Sequence, residues 1–297
     1  MVDIVHHSVI GFGGALVAQQ LGNVDAAVGF LIGSLLPDLD VVFMALGKSR
    51  YLRLHQSITH SVFVLPFLAM WVGSLLAFGL DASWIVVALA CFLGSLVHIA
   101  FDMLNSFGVR ATWPSPRRYS VDAFFFVDIY VFAASGLAVW ALWSEFPALP
   151  VCLAWFSFLA TYSSLKVWWR SKVVCESGAA TAIPSGVSPL FYYLTRDASG
   201  AGVQVGHSRG FRRKIVWEGV TPHVADEVMA VLRAGPMFKD LEEALKLFRP
   251  ISFEVDAKGD VTSVVSRCVA VRNFKNRYGE ITSTLVDGKL VDEVAFL

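Results

Sequence analysis

Charge is scarce in this sequence. Only 16% of its 297 residues are Asp, Glu, Lys or Arg, where a soluble domain carries about 25%. The charges also cancel: 24 basic and 24 acidic residues leave no formal net charge. Without a basic surplus the chain lacks the footprint of a nucleic-acid binder, and no nucleic-acid partner is expected. Cysteine is sparse too. Cys91, Cys152, Cys175 and Cys268 show no C-x-x-C spacing, which argues against a disulfide framework or a zinc ribbon. The N-terminus has no basic stretch and carries His6 and His7 where a signal peptide would be apolar, so no cleavage is expected. Repeats and low-complexity tracts are absent.

What fills the chain instead is hydrophobic residue, at 56%, with a mean hydropathy of +0.60. It is concentrated in the first half. Residues 1–169 hold seven of the 24 basic residues and nine of the 24 acidic ones. The sequence therefore divides into a membrane-embedded part, 1–172, a Gly/Ala/Ser/Pro-containing linker, 173–189, and a polar domain, 190–297. Four apolar stretches approach the ~20 residues a bilayer core requires. They are Ile58–Leu80, Trp84–Leu104, Ala123–Trp143 and Leu149–Trp169. Each should be helical, because a span must satisfy its own backbone hydrogen bonds. Two shorter runs, Ser8–Leu21 and Ala26–Leu36, precede them as short helices joined by a Gly22-Asn23 turn.

The loops alternate in charge. Lys48, Arg50 and Arg53, then Arg110, Arg117 and Arg118, then Lys166, Arg170 and Lys172 mark one side. The other side carries only Asp81 and Glu145. Basic loops favour the cytoplasm, so the polar domain is expected there, beneath an inner-membrane, multi-pass segment. In that domain, alternating runs predict strands at 190–195, 202–207, 214–218, 251–255, 261–271 and 280–285. Helices are predicted from Thr221-Pro222 to Arg233 and over Asp240–Leu247. The fold class is a polytopic α-helical membrane domain, with four long spans and two short N-terminal helices. A small α+β or mostly-β cytoplasmic domain follows it.

Five of the seven histidines lie in the membrane part, together with Asp38, Asp40, Asp102, Asp122 and Asp128. The expected topology brings all of them to one face. Histidine nitrogen and carboxylate oxygen are ligands for zinc and related first-row ions. His98 and Asp102 are one helical turn apart on a common face. Asp38-Leu39-Asp40 follows Pro37, so an extended D-x-D would aim both carboxylates at one point. His55 and His60 bracket the start of a span, and His7 opens the chain. These seven, His7, Asp38, Asp40, His55, His60, His98 and Asp102, exceed one structural zinc and suit two ions. His6 reads as an N-terminal bystander. Ionisable residues inside a membrane are costly and default to function.

These residues stand in blocks that resemble the membrane-bound metal-dependent hydrolases of the YdjM type. The blocks are His7-x-x-x-Gly11, Gly33-Ser-Leu-Leu-Pro-Asp38-Leu-Asp40 and His55-Gln-Ser-Ile-Thr59-His60-Ser61. Then come His98-x-x-x-Asp102, Asn105-Ser-Phe-Gly108, and Trp113-Pro114 through Arg118-Tyr-Ser-Val-Asp122 to Phe126-Val-Asp128. The resemblance covers about residues 1–170. It implies an inner-membrane hydrolase with a divalent-metal site, and it implies that Asp128 belongs to that site. Gln56 stands where the family usually has Arg. If that Arg binds an anionic substrate group, the task falls here to Arg53, Arg117 or Arg118, or the protein prefers another substrate.

The expected function is a metal-dependent hydrolase in which metal-activated water attacks an ester, a phosphoester of a lipid or lipid-linked molecule. The metal is expected to be Zn2+, with Mn2+ or Fe2+ as alternatives. Asp128 and Asp40 are the candidate catalytic carboxylates, and Arg117 and Arg118 the candidate substrate-binding cations. The partners are the lipid bilayer and a small-molecule or lipid substrate; the sequence names no protein partner. Two rivals stay open: a cation or proton transporter using the same cluster, and a membrane-anchored binding protein with a structural metal.

Overall fold

The computed structural model describes residues 2–46, 57–106, 108–125, 128–198, 202–222, 224–239, 251–258, 260–268 and 280–296. It divides into two compact units, 1–42 with 54–167, and 43–53 with 168–297.

In the first unit, helices α1 (Val2–Gln20) and α2 (Val24–Leu35) are joined by a turn in which Gly22 adopts φ 78°. Asn23 caps α2 by accepting a 2.9 Å hydrogen bond from Ala26 N, one of the donors a helix start leaves unmet. Helix α1 starts earlier than the sequence suggests, so His6 and His7 lie within it rather than before it. A 3₁₀ segment, Pro37–Leu46, follows α2 at a 46° bend measured over Pro37–Phe43. A second 3₁₀ turn, Ile58–His60, precedes α3 (Leu65–Leu80), α4 (Trp84–Leu104), α5 (Ile129–Trp143) and α6 (Ala148–Ser177).

Small residues set how closely these helices approach. A Cβ at Gly29 or Gly33 of α2 would strike the carbonyl oxygens of Val87 and Cys91 on α4, and one at Gly94 of α4 would strike that of Phe30. Gly29 and Gly33 are four apart, the close-packing pattern of membrane helices. On α3, Ala69, Gly73 and Ala77 form a similar buried stripe, with Gly73 against Ala88 of α4. The buried side chains of α4 include Val87, Cys91, Ser95, His98 and Asp102, so one helical face carries both the packing and the ionisable pair.

Among the described residues, α4 and α6 are long and apolar enough to cross a membrane. The bent pair of α2 and its 3₁₀ continuation would make a third. Helices α3 and α5 are apolar but shorter than expected, at 16 and 15 residues. That is about 23 Å, under the ~30 Å hydrocarbon core. Their predicted starts fail for local reasons. Ile58–His60 takes a 3₁₀ turn, with Leu65-Pro66 opening α3. Asp128 caps α5, accepting from Tyr130 N at 3.0 Å and Val131 N at 3.4 Å. Residues 121–125 are instead a loop tied back to the end of α4, with Val121 N donating to Met103 O and Ser106 N to Phe124 O.

The second unit holds two four-stranded antiparallel meanders. The first is β1 (Thr181–Pro184), β2 (Phe191–Asp197), β3 (Gly202–Arg209) and β4 (Lys214–Pro222). The second is β5 (Ile251–Lys258), β6 (Val261–Cys268), β7 (Glu280–Val286) and β8 (Lys289–Phe296). Helix α7 (Asp226–Ala234) stands between them in sequence. Strands β1 and β8 escaped the sequence reading. The expected linker is also structured: α6 runs through Ser177, and Val173, Ala179, Ala182, Tyr192 and Leu194 share a core. Asp287 and Gly288, both at positive φ, make the tight β7–β8 turn that the Asp-Gly pair predicts. The helix expected over Asp240–Leu247 lies outside the described residues.

Candidate metal centre

Four separate pieces of chain converge inside the first unit: α1 with His7, the 3₁₀ segment with Asp38 and Asp40, the 3₁₀ turn with His60, and α4 with His98 and Asp102. Asp102 is the hub. Its Oδ1 lies 3.2 Å from His7 Nε2, and its Oδ2 lies 3.2 Å from His60 Nε2 and 3.5 Å from His98 Nε2. Asp38 Oδ1 approaches the same two nitrogens, at 3.6 Å from His98 and 4.0 Å from His60. The His7 and His98 rings stack at 3.6 Å between centroids. His7, His60, His98 and Asp102 are each no more than 2% exposed.

The outer atoms of two rings are held by the protein. His98 Nδ1 donates to the Ser34 carbonyl at 2.7 Å, a contact made possible by the glycine-mediated approach of α2 to α4. That bond fixes the tautomer and leaves Nε2 to face the carboxylates. His60 Nδ1 lies 3.1 Å from Thr59 Oγ1 and 3.7 Å from Asp40 Oδ2. The two carboxylates of the D-x-D therefore do not aim at one point. The segment is 3₁₀ rather than extended, and it puts Asp38 on the Nε2 side of His60 and Asp40 on the Nδ1 side.

Two ligand groups emerge, His7–His98–Asp102 and Asp38–His60–His98. Within each, one donor atom per residue lies within 4.8 Å of the others. Asp38 Oδ2, His98 Nε2 and Asp102 Oδ2 are buried with no hydrogen-bond partner. Buried polar atoms are rarely left so. A donor set of imidazole nitrogens and carboxylate oxygens, partly lacking hydrogen bonds, fits a divalent cation.

His55 lies outside the described residues. Asp128 is placed apart from the cluster's shared contacts. Beyond its two capping bonds it accepts from Tyr162 Oη at 3.1 Å and from Lys166 Nζ at 3.0 Å. It lines a small cavity with His6, His7, Asn105 and Val131. Lys166, which the charge pattern takes as a loop residue, is buried on α6 as the counter-ion of Asp128. A single Lys one turn after Tyr162 in an apolar helix was the available signal. His6 is buried as well, 3.5 Å from Ser135 Oγ and edge-on to Phe101 and Phe132.

The two candidate substrate cations differ. Arg117 is exposed, its guanidinium 5.3 Å from the Tyr119 ring centre. Arg118 is half-buried and donates to Gly108 O at 3.2 Å. Burial, and then neighbouring Arg110, push the Arg118 pKa down to about 10, with the Asp102 charge opposing them. The mutual influence places two guanidinium groups and the Asp102 carboxylate in one electrostatic neighbourhood. The loop carrying both arginines is pinned to the His60 turn, with Val62 N donating to Ala111 O at 2.9 Å and Ser61 Oγ to Trp113 O at 3.2 Å.

A family profile described as YdjM inner membrane protein matches residues 1–172, more than half of the chain. The uncharacterized protein YfhP of Bacillus subtilis (strain 168) is 26% identical over 152 residues. That alignment covers 48% of this chain and 46% of the relative, so the chain spans about half the length of the curated relative it matches. No solved structure matches the chain.

Proposed function

The chain belongs to the YdjM inner membrane protein family, and from that premise we propose that it is a metal-dependent hydrolase of phosphoesters on lipids or lipid-linked molecules. The observation that carries the reading is the convergence of His7, Asp38, His60, His98 and Asp102 from four chain segments onto one buried point. These five residues would hold one or two ions; His98, whose Nδ1 is committed to the Ser34 carbonyl, would offer Nε2 to one of them. When bound, a divalent ion supplies Lewis acidity, polarising a phosphoryl oxygen and making water a nucleophile near neutral pH.

The chain's own residues do the rest. Asp40 and Thr59 orient His60, and the Ser34 carbonyl orients His98. Arg118, supported by Arg110, attracts the anionic group of the substrate; exposed Arg117 meets it first. Four donors already point at the Asp128 carboxylate, which suits it to fix α5 and α6 beside His7. Asp38, with Oδ1 in the cluster and Oδ2 lacking a hydrogen bond, is the carboxylate placed to accept a proton from water. Helices α3 to α6 cross the inner membrane, α3 and α5 as short spans. The basic loops and the C-terminal domain face the cytoplasm.

The buried Asp128–Lys166 pair favours one rival, a cation or proton transporter. The test is metal analysis of the detergent-purified full chain, with phosphate release from short-chain phosphatidic acid and p-nitrophenyl phosphate. Bound metal and metal-dependent release in wild type, both lost in His98→Ala, support the hydrolase. Metal-dependent cation uptake into proteoliposomes without release supports the transporter. Wild type that takes up no metal after reconstitution refutes the site.

A further inference from the structure

The second unit carries an unusual surface element at the tip of its first sheet. Strands β3 and β4 are joined through Arg209-Gly-Phe-Arg-Arg-Lys214, a six-residue stretch with four cations and no acid. The turn is tight: Gly210 and Arg213 adopt φ 75° and 47°, and Arg213 N donates to Gly210 O at 3.0 Å. At its apex Phe211 is 79% exposed. A basic turn alone is ordinarily a solvated tip. An exposed phenylalanine set among four cations is the composition of segments that rest in a membrane interface, ring in the acyl boundary and cations among the headgroups.

The position of the tip argues the same way. Phe211 packs edge-on against Trp169 at 5.8 Å between centroids, and the Arg213 guanidinium lies 5.3 Å over the same indole. Trp169 belongs to α6. Counted from Ala148 at 1.5 Å per residue, Trp168 and Trp169 stand about 30 Å along the helix, one hydrocarbon thickness. Paired tryptophans at that distance mark the headgroup level. Past them α6 turns polar with Arg170 and Lys172. The hairpin is thus tied to the helix where it leaves the apolar layer.

We propose that the β3–β4 hairpin, Arg209–Lys214, docks on the anionic headgroups of the bilayer that α6 enters, with Phe211 inserted beside Trp168 and Trp169. The proposal takes α6 as a span and is independent of the metal site. The occupant is lipid because Trp169, the tip's aromatic neighbour among the described residues, stands at the headgroup level of α6, and because Arg213 pairs with Glu176 of α6 while Arg209, Arg212 and Lys214 give the tip a charge that complements an anionic leaflet.

The tip contains four trypsin sites, which supplies the assay. The full-length protein is placed in nanodiscs of phosphatidylcholine alone or with about 30% phosphatidylglycerol, and cleavage at 209–214 is timed against cleavage at exposed Lys258 of the other sheet. In anionic discs tip cleavage should be about tenfold slower than in zwitterionic discs, and added salt should restore it. Phe211→Ser/Arg212→Ser should remove most of that difference while leaving the Lys258 rate unchanged. Equal tip rates in both discs would overturn the proposal. So would protection that ignores lipid charge and salt and persists in the double variant, since the tip would then be covered by protein.

Discussion

Replacing Asp102 by Asn is the sharpest test of the metal centre. The change keeps the shape of the side chain and removes its charge. Asp102 faces His7 with one oxygen and His60 and His98 with the other, all within 3.2–3.5 Å. An amide can offer only one acceptor oxygen to these three nitrogens, and its NH2 points a donor at the rest. Removing one partner from a buried charge set costs about 3–5 kcal/mol; here that falls on the metal-loaded state. Taking about 2.7 kcal/mol, just under that range, affinity drops about 100-fold. At free metal 100 times the wild-type Kd, linkage stabilises wild type by about 2.7 kcal/mol and the variant by only about 0.4 kcal/mol. Thermal unfolding of the purified protein with and without added metal reads that difference directly. Metal content by elemental analysis reads it independently. An Asn variant that folds, keeps wild-type metal content and gains the same thermal shift would refute Asp102 as hub.

Asp40 holds the far side of the His60 ring, so Asp40→Asn should weaken metal binding by about 10- to 100-fold without abolishing it, measured by competition with a chelator. Gly33→Ala should destabilise by about 1–3 kcal/mol or more, because the added methyl meets the Cys91 carbonyl. Gly136→Ala, with open space around its Cβ, should instead leave the melting temperature unchanged or raised. Lys166→Met strands the Asp128 carboxylate and should cost about 3–5 kcal/mol. Adding Asp128→Asn should recover much of it in denaturation of the double variant.

The His/Asp cluster was legible in the sequence because His and Asp are few among these apolar segments and chemically conspicuous. His98 and Asp102 needed only helical periodicity. His7, Asp38 and His60 needed the alternation of loop charge, which brings their segments to the face that carries His98 and Asp102; Asp128 alone needed the ordered blocks of the family. What stayed hidden were partners that carry no such mark. The Ser34 carbonyl is backbone. Lys166 resembled any basic residue at a span exit until its neighbour Asp128 was seen across α5 and α6. The D-x-D misled because extended and 3₁₀ backbones place alternate residues differently, and Pro37 fits both. Helix bounds erred where an apolar run outlasted its helix, as before Leu65 and Asp128, since hydropathy does not register a cap. Strands β1 and β8 were missed because Thr181–Pro184 is short and Pro-ended, and Lys289–Phe296 alternates with acidic residues.

The glycine seam between α2 and α4 has a consequence for how the cluster could tell one ion from another. Where two backbones touch with no side chain between them, there is nothing soft to compress. The backbones that carry Ser34 and His98 are therefore held at a fixed separation. An ion a few tenths of an ångström too large would meet that wall unmoved. Any give must come from Asp38 and His60, whose 3₁₀ segments lie outside the seam. Were the cluster to hold an ion, discrimination by size would fall to the two short turns, and substitutions near Pro37 and Thr59 are where a change of preferred ion would arise.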